Sequence, residues 1–155
     1  MRATKLWSVL SLAGAIAVGG CSSMQRTIKG EGEPETVALE VTPRQPAAMG
    51  HVKVTPQKGG NQKVEVRVEH LASPERVAPD ARAYVVWLIP RERQAKPQNV
   101  GMLKLDENLN GKLETETPYR QFDVHITAES DPHVTEPSHT AVMRASVELP
   151  STAIK

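Results

Sequence analysis

One cysteine, at position 21, leaves the chain no partner for an intramolecular disulfide, so the fold cannot rest on covalent staples. An excess of one charge is also missing. Nineteen lysines and arginines stand against 18 aspartates and glutamates, and the basic footprint expected of a nucleic-acid binder is absent. Beyond residue 20 no apolar run approaches the ~20 residues needed to cross a hydrocarbon core, so no helical membrane span is expected in the body of the chain. Phenylalanine occurs once, while proline occurs 12 times among 155 residues. Proline interrupts both helices and central strands, which excludes a long helical bundle and points to many short elements.

What is present begins with a leader. Met1 to Lys5 supply a short positive region, Leu6 to Val18 an apolar stretch, and Gly19 and Gly20 the small side chains that a signal peptidase tolerates near its cut. Residues 1–20 therefore read as a secretory signal. Its loss removes Arg2 and Lys5 and leaves 135 residues, enough for one domain with a linker. The residues Val18-Gly19-Gly20-Cys21 resemble the lipobox of bacterial lipoproteins. That resemblance implies a diacylglycerol thioether on Cys21, a third acyl chain on the new amino terminus, and firm anchoring, since two chains already suffice. Ser22 rather than aspartate after the cysteine implies the outer membrane, with the domain facing the periplasm.

Residues 21–36 are polar and contain Gly30, Gly32 and Pro34. Such a segment buries too little apolar surface to offset its ordering entropy and reads as a flexible tether. From residue 37 a period of two takes over. Val37, Leu39 and Val41 alternate with polar or small neighbours, as do Val52 and Val54, then Val64, Val66 and Val68. Tyr84 to Ile89 is apolar on both faces, which suits a central strand with Trp87 in the core. Val100–Leu105 and Gly111–Thr117 flank a reversal containing Asn110-Gly111, a pair that tolerates positive φ. Phe122, Val124, Ile126 and Ala128 form one face of a further strand. Ala141, Met143, Ala145, Val147 and Leu149 form that of the last, with Val142 outward by parity. About eight short strands over residues 37–150, followed by a 151–155 tail, predict an all-β antiparallel β-sandwich of immunoglobulin-like type.

The order of landmarks resembles the extracytoplasmic β-sandwich domain of anti-sigma-K factors. They are Tyr84-Val85-Val86-Trp87-Leu88-Ile89, then Val100-Gly101-Met102-Leu103, then Ile126-Thr127-Ala128-Glu129 with Asp131-Pro132 and Glu136-Pro137-Ser138. The resemblance implies the fold and a periplasmic sensing or docking role. It does not extend to a sigma-factor-binding helical segment or a transmembrane helix, so anti-sigma activity is not expected.

No catalytic constellation assembles from the sequence. Ser138-His139 lacks a nucleophile elbow. Asp106-x-Asn108-x-Asn110-Gly111 matches the first half of a calcium loop, but Thr117 stands where a bidentate glutamate belongs. Of five histidines, His125, His133 and His139 cluster in sequence without the spacing of a zinc or copper site. Glu129, Asp131 and Glu136 suggest solvated carboxylates. The expectation is a non-enzymatic, lipid-anchored binding or accessory module for an envelope protein or component, with no cofactor. Specificity would come from the loops Ser73–Asp80, Arg91–Gln98 and Ser130–Ser138. The alternative is a metal-binding or metal-delivery lipoprotein using His125, His133 and His139.

Overall fold

A computed structural model describes residues 32–43, 45–138 and 141–150. Within them the alternating valines produce nine strands and one helical turn: β1 (Glu35–Ala38), β2 (Glu40–Val41), β3 (Met49–Pro56), β4 (Gln62–Glu69), α1 (Pro74–Val77), β5 (Ala83–Pro90), β6 (Gln98–Leu103), β7 (Gly111–Thr117), β8 (Gln121–Glu129) and β9 (Ala141–Glu148). They form two antiparallel sheets, ordered β1-β3-β4-β7 and β2-β9-β8-β5-β6, that do not close into a barrel. The architecture is the β-sandwich expected from the pattern. Inward side chains of one sheet, including Val52, Val54, Val64 and Val66, are sealed against Val86, Leu88, Phe122, Val124 and Ile126 of the other. The face-to-face stacking follows from each sheet having one apolar side to bury.

The ninth strand arises because the first predicted strand divides. Residues 35–38 pair with β3, and residues 40–41 pair with β9, so one extended segment borders both sheets. At the crossing Leu39 is buried and its N–H donates to the carbonyl of Gly50 at 2.9 Å. Gly50 permits this close approach. A Cβ there would lie 2.7 Å from the Arg67 carbonyl oxygen and 2.8 Å from Leu39 Cδ1. A second departure lies in β9, where Val142 and Met143 are both buried. The β8–β9 register shifts between Ile126 and Thr127, and this bulge overrides the parity that placed Val142 outward.

Strand directions sort the connections into two poles. The near pole is where the chain enters at Glu35. It also holds the turns 57–61, 91–97 and 118–120 and the end of β9, with Leu149 N–H donating to the Arg120 carbonyl at 2.9 Å. The far pole gathers the connections 42–48, 70–82, 104–110 and 130–140.

Candidate binding face

Far-pole loops are tied to one another by buried polar contacts. Tyr84, at the start of β5, points into the core and its hydroxyl donates to the Ala72 carbonyl at 2.8 Å. Gln45 is buried between the loops, accepting from Ala72 N–H at 3.2 Å and donating to the Tyr84 oxygen at 3.3 Å. Burial pushes the Tyr84 phenol well above its usual pKa, with Glu75 adding to the effect, so it stays a donor. Leu71 N–H donates to the Leu109 carbonyl at 3.0 Å, joining loops 70–82 and 104–110. Arg82 N–H reaches the Glu129 carbonyl at 2.7 Å and draws in the end of β8. Loops held in this way present a fixed surface, which lowers the ordering cost of binding.

The fourth loop lies on the outer face of the five-stranded sheet. On β5, Tyr84, Val86 and Leu88 point between the sheets, which sends Trp87 to the opposite side. Trp87 is fully buried there, where the sequence placed it in the inter-sheet core. Its indole N–H donates to Thr127 Oγ1 at 2.8 Å, and the Thr127 hydroxyl donates in turn to the Glu129 carboxylate. Glu129 also accepts from the Ser138 N–H at 2.9 Å, while the Asn99 amide donates at 2.9 Å to the carbonyls of Pro132 and of Val134. Residues 130–138 are thus pinned at both ends over Trp87. Glu129, read from the sequence as a solvated loop carboxylate, is a buried anchor. Parity along β8 was the available signal, because residues 125, 127 and 129 share the face that carries Trp87.

Of the three loops expected to share specificity, Ser73–Asp80 and Ser130–Ser138 both join strand ends at the far pole, the second tied to Asn99 of β6. Arg91–Gln98 lies at the near pole and joins neither. The histidines also separate. His133 lines a cleft of about 590 Å³ between the pinned loop and Asn99, Gly101 and Met102 of β6. His125 lines another, of about 630 Å³, with Asp123, Arg91, Arg144, Ser146 and Glu40. His139 and Cys21 lie outside the described residues. Among the described residues no three His, Cys, Asp or Glu side chains group as a metal-ligand set. In the His125 cleft, burial pushes the Asp123 carboxyl up, but hydrogen bonds from Arg91 at 2.7 Å and from the Ser146 hydroxyl at 2.7 Å leave it below its usual value. Burial lowers the His125 pKa, Asp123 opposing and Arg144 reinforcing.

The calcium-like loop spends its carboxylate on the backbone. Asp106 Oδ1 accepts the N–H groups of Asn108 and Asn110, both at 2.9 Å. The positive φ expected of Asn110-Gly111 falls instead on Leu109, at 63°.

The outer face of the four-stranded sheet carries the alternating charges of β4 paired with those of β7. Lys63 meets Glu114 at 2.7 Å, Glu65 accepts from Arg67 at 2.7 Å, and Lys112 reaches Glu65 at 2.9 Å. Hydrogen bonds from Arg67 and Lys112 hold the Glu65 carboxyl down to about 2. Lys63, Glu65, Arg67, Lys112 and Glu114 thus form one connected charge network.

No helix among the described residues is long and apolar enough to cross a membrane. The chain matches no protein-family model, and no curated protein matches it significantly.

Proposed function

We propose that this protein is a lipid-anchored, non-enzymatic β-sandwich, held by acylated Cys21 on the periplasmic side of the outer membrane, whose far-pole loops dock an envelope protein or component. The observation that carries the reading is the polarity of the domain. The chain enters at Glu35, at the pole opposite the tied loops, so an anchor preceding that point leaves the loops directed away from its attachment. Thirteen residues lie between Cys21 and Glu35, and the 14 steps of an extended chain reach up to about 50 Å. The order of landmarks shared with anti-sigma-K extracytoplasmic domains supports a docking or sensing role.

Two measurements test this. Intact-mass analysis of protein from native membranes should give a chain starting at Cys21 with added acyl mass; an unmodified thiol or another start site overturns the anchoring. Photocrosslinkers at Asn108 and His133 should give a discrete adduct in intact cells, absent from crosslinkers at Lys53 and Thr55 on the four-stranded sheet. Adducts indifferent to position overturn the docking face.

A further inference from the structure

We infer that the near pole is a seat for anionic phospholipid headgroups, so that the anchored domain stands on the bilayer in one orientation. The inference rests on the proposed anchoring and adds a partner surface to it. Its basis is an asymmetry of charge between connections, set by which loop belongs to which pole. The near-pole turns 57–61, 91–97 and 118–120 carry Lys58, Arg91, Arg93, Lys96 and Arg120 against the single carboxylate of Glu92. Glu33 and Glu35, where the chain enters, and Glu148 at the end of β9 reduce the excess to a single positive charge. Among the described residues, far-pole connections carry the opposite balance, with Glu75, Asp80, Asp106, Glu107, Asp131 and Glu136 against Arg76, Arg82 and Lys104.

Exposed cations without an ion pair to any described residue occur at both poles, Arg76 and Lys104 at the far one, but there they stand among a majority of carboxylates. Lys63, Arg67 and Lys112 on the four-stranded sheet are spent on Glu65 and Glu114, and Arg91 is spent on Asp123, while Lys53 on β3 is exposed without an ion pair to any described residue. Lys58, Arg93 and Lys96 are exposed and make no ion pair with any described residue. Three uncommitted cations therefore project from the end of the sandwich at which the anchor would enter. The headgroup phosphate of an acidic phospholipid is the ligand that an anchor delivers to that position at high local concentration. Attraction of this kind acts within about a Debye length, so it requires the pole to lie against the surface and is sensitive to salt.

The test uses the acylated full-length protein in vesicles of phosphatidylcholine alone or with about a third phosphatidylglycerol. Cys21 is the only natural cysteine, so fluorophores on an introduced cysteine at Gln94 (near pole) or Asn108 (far pole) report separately, read by quenchers attached to lipid headgroups. The Gln94 label should be quenched far more in the anionic vesicles, and the Asn108 label equally little in both. Added salt should release the Gln94 label. The triple variant Lys58→Gln, Arg93→Gln, Lys96→Gln should lower the seated-to-unseated ratio by roughly a hundredfold, from the usual attraction per basic side chain. The variant Arg76→Gln, Lys104→Gln, at the far pole, should leave it unchanged. Protein that floats with both vesicle types but shows equal Gln94 quenching overturns the seat alone. Protein that fails to float with phosphatidylcholine vesicles overturns the anchoring itself.

Discussion

Individual residues decide where this sandwich departs from a regular alternation. Gly50 is required by proximity, since any side chain meets the Arg67 carbonyl and the Leu39 methyl that cross beside it. Gly50→Val should destabilise the fold by about 1–3 kcal/mol, measured as a lower midpoint in urea unfolding. Leu109 shows the reverse case, a branched side chain held at φ 63° and 40% exposed. Leu109→Asn should raise stability by about 1 kcal/mol, because asparagine tolerates the left-handed region that costs leucine; an unchanged midpoint would refute this. His125 adds a pH dependence whose sign follows from its lowered pKa. The folded chain binds its proton more weakly than the unfolded chain does. The stabilising difference is therefore complete above the ordinary value of 6.5 and is lost as pH falls through the folded value. His125→Asn should flatten the fall in stability below pH 6.5, read from thermal midpoints across a pH series.

At the scale of elements, the loops are as deliberately fixed as the strands. Gln45 joins the 42–48 connection to Ala72 and Tyr84. Gln45→Ala leaves the Ala72 N–H without its acceptor and should cost about 1–3 kcal/mol. The loss should appear as faster amide exchange in residues 70–82 with little change in β3 and β4. The strands themselves were legible in the sequence because valine alternation of period two has one meaning when a face must be buried. Val52, Val54, Val64, Val66 and Val68 are all inward. Legibility ended where tertiary contact set the outcome. A run apolar on both sides, Tyr84 to Ile89, cannot reveal that one of its faces lies under the loop 130–138, more than 40 residues onward. A bulge such as that at Ile126/Thr127 leaves no mark in the alternation of Ala141 to Leu149. The site was less legible than the fold. Gln45 and Glu129 matter through partners distant in sequence, and the parity of β8 was the one local sign that Glu129 shares a face with Trp87.

On the scale of the whole molecule, the two sheets are one cooperative unit, because the segment 35–41 pairs into both and the inward side chains form a single cluster. Trp87 is the one tryptophan after residue 20 and sits on the far side of the five-stranded sheet from that cluster. In chain processed at Cys21, unfolding followed by its fluorescence and by far-ultraviolet circular dichroism should give coincident transitions. A separated fluorescence transition would mean that the pinned loop opens independently of the sandwich.

The division of the first strand also governs how the domain bears load. A pull on the residues preceding Glu35 runs along β1 and into β2, nearly perpendicular to the hydrogen bonds that each makes with its neighbour. Force in that direction strains the bonds of both sheets together as a shear, instead of opening them one after another like a zipper. Tension arriving through a membrane tether would thus be shared between the two halves of the sandwich from its first point of application.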